Sequence, residues 1–207
     1  MASKTLTMKL FSLLVFSYAI IKMATASDPN ILIYFLVPKN FSVVDGNFFT
    51  FIGMHSLIGA KPPTTFKVFK ASLVEFPALE GQSVSYVILE FANGSTNPPH
   101  IHPRSAELLF LVEGSLQVGF VDTTNKLYTQ ILQTGDRFVF PKGLVHFQYN
   151  ANSENSAIAI ASFGSANART VSLPNTLFAT GINDTVLAKS FKTDVPTIQA
   201  LKDGLVP

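Results

Sequence analysis

Pro98-Pro99-His100-Ile101-His102-Pro103-Arg104-Ser105-Ala106-Glu107 and, further on, Pro141-Lys142-Gly143-Leu144-Val145-His146-Phe147-Gln148-Tyr149-Asn150 between them hold three of the chain's four histidines. Side chains repeat every two residues along a strand, so His100 and His102 on an extended segment face the same side. Glu107 has the wrong parity to share that side on a continuous strand, so the chain must turn between 103 and 106 to bring it back. Pro103 ends the ligand strand, and His146 follows a Pro141-Lys142-Gly143 turn on a different strand. Three imidazoles and one carboxylate from separate segments make a nitrogen and oxygen donor set for a first-row metal, with two octahedral positions left for water or substrate.

The segments continue on both sides in a fixed pattern. Gly94, His100, His102, Glu107 and Gly114 read G-x5-H-x-H-x4-E-x6-G, and residues 115–134 intervene. Gly135, Pro141, Gly143, His146 and Asn150 then read G-x5-P-x-G-x2-H-x3-N. The two patterns resemble the paired motifs of the cupins, and the fillers Thr96-Asn97-Pro98-Pro99 and Phe140-Pro141-Lys142-Gly143 resemble the plant germins and germin-like proteins. The resemblance runs from about Ser27 to the C-terminus. It implies an all-β fold, a cupin double-stranded β-helix or jelly-roll barrel with short C-terminal α-helices. It also implies Mn(II) held by His100, His102, Glu107 and His146, although affinity alone favours copper or zinc. His55 lies outside both motifs and reads as an ordinary core or surface residue.

Lys4 and Lys9 precede an apolar run, Leu10 to Ile21, and Ala24-Thr25-Ala26 follows. Basic residues, a short apolar core and an A-x-A site predict a signal peptide over residues 1–26. The run is shorter than the roughly 20 residues that span a bilayer. Cleavage would remove three lysines and no acid, taking the formal charge from +2 to −1. That leaves no basic patch for nucleic acid; the leader predicts a secreted chain with no membrane span, and the resemblance implies the extracellular space of the cell wall, the apoplast, as its destination. The chain has no cysteine, so neither a disulfide nor a thiolate ligand is available. Many germins clip their N-terminal extension with a cysteine pair; here residues 34–40 read Tyr-Phe-Leu-Val-Pro-Lys-Asn, as in a cysteine-free branch, and no such clip ties residues 28–60 to the barrel.

The expected division is an extension over 27–64, a barrel over 65–170 and a helical segment over 171–207. Strands are predicted at 83–91, 107–113, 115–121, 127–133, 137–140, 145–149 and 157–163, where Val, Ile, Leu, Phe and Tyr cluster between turn residues. Such spacing favours a two-sheet sandwich or barrel. In the tail, Val186, Leu187 and Phe191 follow Asn183-Asp184, and Ile198, Leu201 and Leu205 follow Asp194-Val195-Pro196; both are helix starts. In germins such helices build subunit contacts, and the family precedent is a homo-oligomer, a hexamer made as a trimer of dimers. The alternative is that they fold back on their own barrel.

Gly94, Gly114, Gly135 and Gly143 read as turn glycines, Asn150 as a cap on a local turn, and Phe138, Phe140 and Phe147 as packing. Arg104 and Lys142 are surface charges or steer an anion. Asn40-Phe41-Ser42, Asn93-Gly94-Ser95 and Asn183-Asp184-Thr185 are glycosylation sequons at Asn40, Asn93 and Asn183. In germins with oxalate oxidase activity, the asparagine matching Asn97 is one of two that bind a small carboxylate beside the metal. The other aligns with Val87, which offers no hydrogen bond, so the resemblance to an oxalate oxidase is incomplete. Taken with the donor set, the resemblance implies one of three functions: a secreted manganese protein with superoxide dismutase activity and a stress or defence role, an oxalate oxidase acting on a small anionic substrate, or a non-enzymatic wall or ligand-binding protein.

Overall fold

Runs of β-branched and aromatic residues with one buried face form antiparallel strands here because each pairs its backbone with a neighbour while hiding alternate side chains. The computed structural model describes residues 9, 11, 28, 29, 31–41 and 44–205. Nearly all of the predicted signal peptide, and Ser42 of the first sequon, lie outside the described residues. Among the described residues, no helix is long and apolar enough to cross a membrane.

The described residues form ten strands: β1 (Lys67–Ala71), β2 (Ser85–Phe91), β3 (Thr96–Ile101), β4 (Glu107–Glu113), β5 (Ser115–Val121), β6 (Leu127–Gln133), β7 (Arg137–Phe140), β8 (Val145–Tyr149), β9 (Ala157–Phe163) and β10 (Val171–Ser172). They make two five-stranded sheets, ordered β1-β2-β9-β4-β7 and β10-β3-β8-β5-β6. Six of the seven predicted strands keep their expected bounds; the seventh starts at Ser85 because Ser83 adopts a left-handed φ of 53° that no strand accommodates.

The core fills the space between the sheets. In the middle of the first sheet, β9 turns Ala157, Ala159 and Ala161 inward, and register places larger residues beside them. Ala159 lies between Leu89 and Leu111, and Ala161 between Val87 and Leu109. Phe91, Leu109, Leu111, Leu116 and Phe140 are essentially inaccessible to solvent. Full burial of side chains of this size stabilises by about 1.5–3 kcal/mol each. The four motif glycines all take positive φ. At Gly114 a Cβ would also approach Ser156 O to 2.8 Å and Ala157 Cβ to 2.9 Å, so no other residue fits there without movement.

Three helices close the chain: α1 (Leu173–Phe178), α2 (Asp184–Phe191) and α3 (Val195–Asp203). Asn183 and Asp194 cap α2 and α3 by accepting from the backbone N–H groups of Thr185 and Thr197. Leu187, Ala188 and Ile198 form a second small core with Phe178, Ile182 and Val195. Lys202 joins the two helices by donating to Asp184 and to the Ile182 carbonyl. Val186, Phe191 and Leu201 remain exposed on the outer side.

The N-terminal extension is tied down without cysteine. Asp28 is buried and accepts from Arg104 Nη2 (2.7 Å), Ser165 Oγ (2.7 Å) and the Ala166 backbone N–H. Phe51 stacks on Phe76, and Gln82 donates to the Tyr34 carbonyl.

Candidate metal centre

The first ligand segment is extended but irregular. Pro98 and Pro99 have no N–H to give the β3–β8 ladder, and the register shifts between Asn97 and His100. Beyond the shift, His100 lies directly across from His146 of β8, with ring centroids 4.1 Å apart. His102 is one residue past the end of β3, not within it. The chain then bends at Pro103-Arg104 and crosses to the other sheet, where Glu107 opens β4. The parity argument therefore holds: the bend carries Glu107 back to the imidazoles. Both sheets and the link between them contribute to the centre.

All four residues are buried, and their candidate donor atoms lie within 4.8 Å of one another. Each histidine has its Nδ1 against a backbone carbonyl: His100 on Pro98 (2.8 Å), His102 on Arg169, and His146 on Leu144 (2.9 Å). A carbonyl only accepts, so Nδ1 carries the proton and the Nε2 lone pairs are left for the centre. His102 Nε2 and His146 Nε2 lie 3.0 and 3.2 Å from Glu107 Oε2. Unprotonated nitrogens that close to a carboxylate oxygen oppose lone pair to lone pair, so the arrangement calls for a cation between them. The donor set fits a first-row divalent metal.

The electrostatics agree. Burial and the neighbouring His146 charge push His100 down to about 4, so its imidazole is neutral near pH 7. Without a metal, a proton on Nε2 of His102 and His146 can stand in for the cation; burial alone would raise Glu107, but the hydrogen bonds and charge from those two rings then outweigh it and hold the carboxyl at about 2. Phe140 stacks on His146 at 4.6 Å, and Phe163 meets His102 edge-on at 4.7 Å, fixing the rings from the apolar side.

A second layer holds Glu107. Gln148, fully buried, donates to Glu107 Oε1 (3.0 Å) and accepts from Asn97 Nδ2 (2.7 Å). Asn97 is thus linked to the carboxylate while still lining the cavity above the centre. Gln148 was detectable in the sequence, since it stands two residues beyond His146 on a strand and must face the same way.

The cavity, about 420 Å³, opens over His100, His102 and Glu107. Val68, Val87, Leu89, Phe163 and Ala168 give it apolar walls, and Lys70, Glu75 and Arg169 bring charge. Of the cations flagged in the motifs, Arg104 is instead engaged by Asp28, and Phe138, Phe140 and Phe147 do not line the cavity. His55 is exposed in a short 3-10 turn. Asn150 is fully buried and donates to the Ala92 and Asn155 carbonyls. Asn40, Asn93 and Asn183 are all exposed.

The cupin family model matches residues 61–199. Germin-like protein 9-3 of Oryza sativa subsp. japonica is 55% identical over 194 residues, 90% of each chain. The chain belongs to the germin-like proteins of the cupin family. Germin-like protein 9-1 of the same organism is 50% identical over 193 residues, covering 91% of this chain and 78% of its own. Among solved structures, an oxalate oxidase is 31% identical with a TM-score of 0.77, over 87% of this chain and 98% of that one. This germin-like protein has no cysteine, so the buried Asp28 contacts, rather than a disulfide, join its extension to the barrel.

Proposed function

We propose that this germin-like protein is secreted to the apoplast, binds Mn(II) through His100, His102, Glu107 and His146, and dismutes superoxide. The observation that carries the reading is the convergence of three carbonyl-fixed imidazoles on one buried carboxylate beneath an open cavity. Manganese held by these four residues would supply the one-electron redox chemistry that superoxide dismutation needs. The chain's own residues prepare the place for it. Backbone carbonyls fix the tautomers, Gln148 orients Glu107, and Val87, Leu89 and Phe163 limit water around the centre. Lys70 and Arg169 at the cavity attract a small anion.

Secretion is supported by the leader at residues 1–26, and glycosylation by the exposure of Asn40, Asn93 and Asn183. The exposed Val186, Phe191 and Leu201 support a homo-oligomer, by family resemblance a hexamer. A second reading, oxalate oxidase, is favoured by Asn97 in the cavity and by similarity to a solved oxalate oxidase. It is opposed by Val87, which lines the same cavity and offers no hydrogen bond.

The test is superoxide and oxalate turnover by manganese-loaded protein, with the mass of the secreted chain before and after glycosidase treatment. Superoxide dismutation without peroxide from oxalate supports the proposal. Oxalate-dependent peroxide production overturns it in favour of the second reading, and an inert manganese-loaded protein overturns any catalytic role.

A further inference from the structure

Two irregular segments meet beside the metal centre. One is the bend between β3 and β4, which starts with His102 and leads into Glu107; the other is the connection over residues 164–170 between β9 and β10. Three hydrogen bonds join them. His102 Nδ1 donates to the Arg169 carbonyl, Arg104 N–H to the Ala168 carbonyl (3.4 Å), and Gly164 N–H to Ser105 Oγ (2.8 Å). As the bend runs from 102 to 105, its partners run back from 169 to 164. The bend carries two of the four metal donors, so displacing the connection displaces His102 and the entry to Glu107 together.

The connection itself contains a costly turn. Arg169 takes a left-handed φ of 59°, which a residue with a Cβ keeps only where its surroundings hold it. The hold can be followed from atom to atom. Arg169 N–H donates to Asn167 Oδ1 (3.3 Å), Asn167 N–H donates to Ser165 Oγ (3.1 Å), and the Ser165 hydroxyl donates to Asp28 Oδ1 (2.7 Å). Asp28, itself buried, also accepts from the Ala166 N–H of the connection and from the Arg104 guanidinium of the bend. One carboxylate therefore grips both segments. We propose that Asp28 is a positioning residue for the metal centre: it holds the Arg169 carbonyl against His102 and fixes the bend that delivers Glu107. The proposal rests on the reading that the four-residue centre binds manganese. It gives the residue that ties down the N-terminal extension a second task, setting the geometry of the donors some distance away. Without the carboxylate, the Ser165 hydroxyl turns to another acceptor, the connection relaxes, and the His102 ring loses its fixed orientation.

The test measures manganese affinity by chelator competition, and the electron paramagnetic resonance spectrum of the manganese-loaded secreted protein, for wild type, Asp28→Ala, Ser165→Ala and Phe51→Ala. Asp28→Ala is expected to weaken manganese about fivefold or more, short of the 10- to 100-fold loss when a direct partner of a ligand is removed. Its spectrum should show a changed zero-field splitting, because His102 and Glu107 shift. Ser165→Ala cuts the relay but keeps the bonds of Asp28 to Ala166 and Arg104, so it folds even where Asp28→Ala does not accumulate. It should change the spectrum in the same sense, with a smaller loss of affinity. Phe51→Ala removes the stack on Phe76 and loosens the extension elsewhere; limited proteolysis should report that loosening while spectrum and affinity stay those of the wild type. A wild-type spectrum and affinity in either Asp28→Ala or Ser165→Ala would overturn the positioning role and leave Asp28 a stabilising tie. An equal effect of Phe51→Ala would overturn it as well, since order in the extension, not the carboxylate, would then govern the centre. Wild-type protein that takes up no manganese would overturn the metal reading itself, and this proposal with it.

Discussion

Replacing Asp28 with alanine is expected to loosen the N-terminal extension and lower the melting temperature well beyond what a surface substitution does. The carboxylate accepts from Ser165 Oγ, Ala166 N–H and Arg104. Ser165 is fully buried and Ala166 nearly so, and a buried donor left without a partner costs about 1–3 kcal/mol. The Ser165 hydroxyl can rotate toward another acceptor, whereas the Ala166 N–H cannot, which places the total at about 2–4 kcal/mol. Arg104 has a side chain 41% exposed, so its ion pair adds only about 0–1 kcal/mol after solvent screening. For a domain of this size each kcal/mol shifts the midpoint by about 2–4 °C, giving a loss of about 5–15 °C. The assay is thermal unfolding of the secreted protein with limited proteolysis across residues 31–60. Arg104→Ala is the control and should change the midpoint by no more than about 3 °C. An Asp28→Ala midpoint within about 2 °C of the parent, with unchanged proteolysis, would refute the assignment of Asp28 as the tie that replaces a disulfide.

Three other outcomes are expected. Gln148→Leu removes the bond that orients Glu107 and should weaken manganese binding about 10- to 100-fold in chelator competition without unfolding the barrel; unchanged affinity would make Gln148 a passive core residue. Metal-free protein should lose stability as pH falls from about 6.5 towards 4, because His100 has its ordinary pKa of 6.5 when unfolded and about 4 when folded, so the unfolded chain binds the extra proton. That contribution is fully present above 6.5, and about 3 kcal/mol of it is lost by pH 4, with a further loss below 4.5 as Glu107 titrates towards 2; urea midpoints equal at pH 7 and pH 5 would contradict it. Truncation after Asn183 should dissociate or aggregate the protein, because it strips the partners of Phe178 and Ile182 as well as the exposed apolar surface; light scattering that shows an intact assembly would contradict that.

Most of the barrel was legible because its strands are short apolar runs between turn residues, and strand parity called for the bend between 103 and 106 that precedes Glu107. β1 was not legible: Lys67 and Lys70 interrupt its alternation, and its inward face borders a cavity rather than the core. β10 and α1 are too short to show a period, and Pro174 in the first turn of α1 reads equally well as a loop. Lys70 and Arg169 escaped notice for a related reason. They reach the cavity through cross-strand register and a left-handed residue at Arg169, neither of which a linear pattern records. Asp28 meets Ser165 across 137 positions of sequence, a separation at which only the fold brings them together.

Manganese content per subunit, measured for the wild type and for His100→Ala, His102→Ala, Glu107→Ala and His146→Ala purified in parallel from a plant host, tests the metal centre most directly. About one manganese per wild-type subunit and a sharp loss in each variant is the predicted result, because each of the four supplies a donor to one buried cluster. Full occupancy in all four variants would contradict it.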